Sequence, residues 1–295
     1  MSRPAATVSV DLDPVDLHLQ GYGFRGLPPD PLVYTVALPR LLEIFERCRI
    51  AATFFIVGRD ALAQAGPLAQ ALRAGHEIAS HSLTHPMAFT SLAPEAMRGE
   101  LVESRRMLEQ ACGGEVTGYR SPNFDMSPRG IEALAASGYR YDASGYPTLM
   151  LIPARLLLAW KSRDAVGVMK LRAWPVSWRR GPHALGAGAS RIEEFPVSVT
   201  PGVRFPVYHT ARYVLGHERF VHMLDGFARR GEPLSYPLHA VDALGLEEDR
   251  VDARLAPHPG MNLALREKLD LLERSLQAIA QRFDSAPFRA RLGAV

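Results

Sequence analysis

Two cysteines, Cys48 and Cys112, are all that the 295-residue chain carries. So few thiols exclude a disulfide framework and a cysteine-built zinc site. No apolar run reaches the roughly 18–20 residues that cross a bilayer. The opening stretch, MSRPAATVSVDLD, lacks the apolar core of a secretory leader and soon turns acidic. Neither sign of charge prevails: the net charge is +3, too mild by itself to imply nucleic acid, and no nucleic-acid partner is expected. With 24 glycines and 23 prolines the chain is loop-rich. At 47% hydrophobic and 22% charged residues it is nevertheless neither disordered nor fibrous. What remains is a folded chain long enough to bury a core without staples. It is expected to be cytoplasmic and reduced.

Short β-rich apolar runs alternate with helical patterns. Thr7 to Val10 reads as a buried strand that delivers Asp11 and Asp13 at its C-terminal end. Residues 18–33, rich in glycine and proline, read as a long loop. Leu38, Leu41, Leu42 and Phe45 fall on one helix face. Strands are expected at 52–57, closed by Gly58, and at 77–80, followed directly by His81. Helices are expected at 67–74, 94–110 and 128–137, the last with Pro128 in its first turn. Later strands are placed at 192–199 and 234–239. A final helix over 262–283 carries apolar residues at alternating steps of four and three, a pattern read as barrel packing. Regular alternation of strand and helix argues for an α/β fold with a parallel sheet. The polar residues cluster just after the strands, where β/α barrels place their active sites. One domain is expected over 1–295, with no internal repeat.

The chemistry-bearing residues form an ordered set. His81 and His85 stand at i and i+4, a spacing that puts both imidazoles on one face of a helical turn. Asp11 and Asp13 stand two apart at a strand end, so their side chains share a face. Two imidazoles and one carboxylate make the open three-ligand shell of a catalytic divalent metal, with the second carboxylate free to take a proton. Zinc suits this donor set best, and cobalt, nickel or manganese would also be accepted.

In order along the chain come Ser9-Val10-Asp11-Leu12-Asp13, Ser80-His81-Ser82-Leu83-Thr84-His85-Pro86, Tyr119-Arg120-Ser121-Pro122-Asn123, Gly138-Tyr139-Arg140-Tyr141-Asp142 and Pro237-Leu238-His239. This succession resembles the polysaccharide deacetylase family with the NodB homology domain, closely over 7–145 and more loosely over 190–285. The resemblance implies a distorted β/α barrel of about seven strands and a metal-dependent hydrolase that removes an N-acyl group, N-acetyl foremost, from an amino sugar. It implies Asp11 as base and Asp13, His81 and His85 as metal ligands. Arg120 would hold the base, and Asp142 would orient that arginine. His239 would be the general acid, preferred to His258 because it follows a strand. The Asn123 N–H would be an oxyanion donor, with Pro122 and Tyr119 on the substrate side. The spaced Asp-x-Asp, where two adjacent aspartates are commoner, leaves the base and ligand roles of Asp11 and Asp13 interchangeable. Asn123-Phe124 replaces the usual aromatic-Gly pair, which bears on substrate contacts rather than on the reaction.

Residues 148–180 have no counterpart in the minimal family pattern. Seven cations, Arg155, Lys161, Arg163, Lys170, Arg172, Arg179 and Arg180, stand there against Asp164 alone. All three tryptophans, Trp160, Trp174 and Trp178, are in the same stretch, with leucine-rich runs at 149–152 and 156–158. Basic, aromatic and leucine residues together suit an anionic membrane surface. The alternative is an insertion that packs over the barrel wall. Two other functions stay open: deformylation or deacetylation of a lipid-linked amino sugar at the inner face of a membrane, and a catalytically inactive carbohydrate-binding relative.

Overall fold

The structure is a computed structural model that describes residues 3–172 and 174–293. β1 (Ala5–Leu12), α1 (Val15–Gly21), α2 (Leu38–Cys48), β2 (Thr53–Ile56), α3 (Ala65–Arg73), β3 (Glu77–Ser80), α4 (Pro94–Cys112), β4 (Gly118–Tyr119), α5 (Pro128–Ala136) and β5 (Tyr141–Asp142) alternate through the first half. There follow α6 (Leu151–Lys161), α7 (Ala165–Met169), β6 (His183–Leu185), β7 (Ile192–Glu194), α8 (His217–Arg229), β8 (Leu234–His239), α9 (Leu265–Arg282) and β9 (Asp284–Ser285). The sheet order is β6-β7-β5-β4-β3-β2-β1-β8, with β9 on β1. From β8 to β7 the strands run parallel, and β6 is antiparallel on the edge.

Seven strands from β8 to β7 form the curled parallel sheet, close to the number that the family resemblance implies, and the short β9 adds a parallel pairing on β1. Beyond β7 the chain leaves regular strand geometry, so the strand expected over 192–199 is cut to three residues. The same segment still bonds β8: the Ser198 N–H donates to the Ser235 carbonyl at 3.2 Å, and the Ser235 N–H to Ser198 Oγ at 2.8 Å. These contacts stand where an eighth strand would close the barrel.

Helices lie against the outside of the sheet. The inward faces of α2 and α9 bury Leu41, Phe45, Leu272, Leu276 and Ile279 against β1, whose Val8 and Val10 are fully buried. At about 25 cal/mol per Å² of apolar area, this layer is the main force that holds the strand ends in place. Among the described residues, no helix is long and apolar enough to cross a membrane. Both cysteines are free thiols.

Two local expectations are corrected. Residues 18–33 are not all loop, because α1 begins at Val15 and runs to Gly21. Its Leu17 and Leu19 are buried, and this apolar contact outweighs the glycine and proline that follow. The His81–His85 segment is not helical. Ser82 and His85 take left-handed backbone angles (φ 64° and 57°), so the segment is a tight loop.

Candidate metal centre and active-site cavity

Parallel strands send their C-terminal ends to one rim, and the site is built there. Within β1 the i, i+2 alternation puts Ser9 and Asp11 on one face, and Asp13 follows just past the strand. β2 pairs in register with both β1 and β3, to Ile56 and Ser80, so His81 emerges one residue beyond the sheet, two strands from β1. Its backbone N–H donates to the Ile56 carbonyl at 2.8 Å.

The loop that carries the two histidines is tied down at several points. Glu100 of α4 accepts hydrogen bonds from the N–H groups of Leu83 and Thr84, both at 2.9 Å, and from the Thr84 hydroxyl at 2.6 Å. Ser104 Oγ donates to the Ser82 carbonyl at 3.0 Å. Gly58 is required here, since a Cβ at that position would stand 2.7 Å from Ser104. The i, i+4 histidines thus converge through a pinned loop rather than through helical periodicity.

His81 Nε2 lies 3.3 Å from Asp13 Oδ1, and His85 Nε2 lies 3.6 Å from the same oxygen. All three side chains are nearly or fully buried. Asp13 Oδ1 is buried with no hydrogen-bond partner among the described residues. His81 Nδ1 stands 2.7 Å from the Arg120 carbonyl; it donates there, which turns the Nε2 lone pair toward Asp13. Burial pushes the His85 pKa down to about 4 and also lowers that of His81, so both imidazoles are neutral ligands at pH 7. An orphaned carboxylate oxygen between two neutral imidazoles fits a divalent cation, and among the described residues this is the one such donor cluster.

Asp11 stands beside this group. Arg120 is fully buried, and each nitrogen of its guanidinium has a partner: Nη1 donates to Asp11 Oδ1 at 2.6 Å, Nη2 to Ser9 Oγ at 2.9 Å and Nε to the Ala143 carbonyl at 3.0 Å. The Phe55 ring packs against the guanidinium at 4.1 Å. Burial pushes the Asp11 pKa up, but the Arg120 guanidinium, foremost among its neighbours, outweighs it and holds the carboxyl below its usual range. Asp13 shifts the other way. Its burial and the neighbouring Asp11 charge raise it against the pull of His81. The geometry separates the two aspartates, with Asp11 paired to arginine and Asp13 facing the imidazoles.

His239 ends β8 directly opposite Asp11 in the register, and its Nε2 lies 3.9 Å from Asp11 Oδ2. Its backbone N–H donates to Asp242, whose other oxygen accepts from the Tyr213 hydroxyl. These groups open into a cavity of about 440 Å³ lined by Asp11, Asp13, His81, His85, Asn123 and His239, among others.

Several expected residues lie elsewhere. Asp142 does not touch Arg120. It accepts from the Ser144 N–H and hydroxyl, next to Glu194, and burial raises its pKa to about 6. The orienting contacts on Arg120 come from the Ala143 carbonyl and Ser9 instead. Tyr119 faces the opposite side of the sheet, where its ring packs on Phe89 and Tyr139, and Pro122 is buried without lining the cavity. His209 is fully buried, with Nδ1 2.9 Å from the Tyr236 hydroxyl.

Other cavity residues were missed. His18 of α1 and His258 both line the cavity, with ring centroids 4.9 Å apart, and His18 also meets His239 at 5.7 Å. Burial drives the pKa of His18 well down and that of His258 to about 3, so both are neutral. The apolar run at 15–19 was the signal for His18, had α1 been read as a helix. Ser9 stood in the i, i+2 series with Asp11 and Asp13.

Fold and site together define a curled β/α barrel whose strand ends carry a two-histidine, one-carboxylate cluster beside an arginine-held aspartate. Residues 30–141 match the family model described as polysaccharide deacetylase. The peptidoglycan deacetylase of Helicobacter pylori is 30% identical over 141 residues, which cover 46% of this chain and 47% of that protein. A Mycobacterium smegmatis structure assigned as a polysaccharide deacetylase superposes with a TM-score of 0.60 at 19% identity, over 100% of this chain and 91% of that one. The family 4 carbohydrate esterase of Streptomyces lividans, in complex with acetate, gives 0.52 at 14% identity, over 97% and 93%. At such identities the structures speak for the fold alone. The likeness in sequence to polysaccharide deacetylases is carried by residues 30–141, and the chain spans about half the length of the H. pylori relative. The matched stretch holds His81, His85 and Arg120; Asp11, Asp13 and His239 lie outside it and join it through the sheet.

Proposed function

We propose that this protein is a metal-dependent hydrolase that removes an N-acyl group, N-acetyl foremost, from an amino sugar in a polysaccharide or glycoconjugate. The observation that carries this reading is the orphaned Asp13 Oδ1 between His81 and His85, in one cavity with the Asp11–Arg120 pair. Asp13, His81 and His85 would hold one divalent ion, with zinc first by donor chemistry. When bound, such an ion supplies Lewis acidity that polarises the amide carbonyl and makes water nucleophilic near neutral pH.

The chain's own groups do the rest. Asp11 takes a proton at Oδ2, because Arg120 occupies Oδ1. Its depressed pKa keeps it ionised and ready as base at neutral pH. The Asn123 N–H would donate to the developing oxyanion, an interaction whose loss typically costs about 3–4 kcal/mol. His239, across from Asp11, protonates the departing amine. The full set of ligands, base and acid argues against an inactive carbohydrate-binding relative.

A second reading narrows the substrate to a lipid-linked amino sugar, deformylated or deacetylated at the inner face of a membrane. It is supported by the outward face of the insertion, where Leu156, Trp160, Val166, Met169 and Trp174 are exposed near Lys161, Arg163 and Lys170. Flotation with vesicles containing anionic lipid should carry the protein upward, and vesicles of neutral lipid should not; no flotation with either would remove this reading.

Acetate release from chitooligosaccharides and peptidoglycan fragments tests the reaction itself. The wild type should release acetate, and Asp11→Asn should be slower by about 100-fold or more, the loss expected when a general base is removed. Equal rates would remove Asp11 from the chemistry.

A further inference from the structure

Arg155 sits in α6 and is only 8% exposed, yet it lines the same cavity as the metal ligands. Its Nη2 donates to the Asn123 carbonyl at 3.3 Å. Its Nη1 is buried with no hydrogen-bond partner among the described residues. A guanidinium remains charged, and a buried charge without a counter-ion is unfavourable. Among the described residues, no carboxylate pairs with Arg155 to supply the counter-ion. Asp125 is the acid whose field reaches Arg155, but its oxygens are taken by the Thr90 N–H and hydroxyl and by the Arg172 N–H. Of the two cavity aspartates, Asp11 is bound to Arg120, and Asp13 faces His81 and His85. Around Arg155 the same helix is apolar: Leu151, Ala154, Leu157 and Leu158 line the cavity.

We infer that Arg155 receives an anionic group of the substrate, a phosphate or a carboxylate, whose attached apolar part lies along α6. This rests on the functional reading above and deepens it. The scissile amide goes to the centre at Asp13, His81 and His85, and the charge of the substrate goes to Arg155 on the far side of Asn123. The preferred substrate is then an anionic amphiphile that carries an N-acyl amino sugar, taken ahead of a neutral glycan. Both oxyacids offer Nη1 the in-plane oxygen that it lacks.

Binding rather than turnover tests this, with the full chain at matched metal content and again after chelation. Octyl phosphate, octanoate and octyl glucoside are titrated by calorimetry. The wild type should bind one of the two anions at least tenfold more tightly than octyl glucoside, with and without metal; which anion prevails tells phosphate from carboxylate. Arg155→Gln and Arg155→Met should lose that preference while they still bind octyl glucoside, which shows an intact cavity. Arg155→Lys should keep part of it, and Lys161→Gln, which changes an exposed cation at the rim, should keep all of it. No anion preference in the wild type, a preference that vanishes on chelation, or one that survives Arg155→Gln would overturn the proposal. If no N-acyl sugar is hydrolysed but the preference persists and depends on Arg155, the reaction falls and the anion site stands.

Discussion

At the scale of single residues, Arg120 governs the site. It binds Asp11, Ser9 and the Ala143 carbonyl from a fully buried position, so its removal strands the Asp11 carboxylate. Arg120→Met should lower stability by about 3–5 kcal/mol, the usual result of breaking one side of a buried ion pair, measured by urea denaturation. Arg120→Lys should recover little, because an ammonium cannot reproduce the three planar bonds. Wild-type stability in either variant would mean that the pair is not formed. Arg120 and Asp11 were legible as a pair only through the family resemblance, which rests on two short motifs far apart in the chain. The partner assigned to Arg120 was not. Asp142 stands next to the true contact, the Ala143 carbonyl, and a backbone acceptor leaves no mark in residue identity. Tyr119 failed for a different reason: strand alternation sends it to the face opposite its neighbour Arg120.

At the scale of elements, the histidine loop is held by α4. Glu100 fixes two backbone N–H groups and one hydroxyl of the segment between the two ligands. Glu100→Ala should loosen that segment and weaken metal binding about 10–100-fold, the range seen when supporting contacts of ligands are removed, while the melting temperature changes little. Competition with a chromogenic chelator reads the affinity, and an unchanged value would make the loop self-supporting. The elements themselves were largely readable, because β1, β2, β3 and α4 show clean apolar periodicity. Where strong turn formers sit beside a short apolar run, as at α1, composition misled and packing decided. The His81–His85 spacing pointed to the right pair for the wrong geometric reason, since left-handed angles at Ser82 and His85 are tertiary choices.

At the scale of the whole molecule, the sheet brings together motifs that are far apart in the chain. Asp11 and His239 face each other because β1 and β8 pair in register, and His81 joins them because β3 lies two strands away. Within residues 148–180, α6 then covers this rim, with one face lining the cavity while Leu156 and Trp160 are exposed. The sequence marked this segment by its charge and tryptophans, but not its place over the site, which depends on contacts between distant segments. On the proposed function, Asp13, His81 and His85 hold one catalytic divalent ion. Elemental mass spectrometry of tag-free protein, beside Asp13→Ala, His81→Ala and His85→Ala, tests it most directly. The account predicts about one equivalent of zinc or a similar ion in the wild type and its loss in all three folded variants. A folded wild type that takes up no metal when zinc is offered, or variants that retain it, would contradict the account.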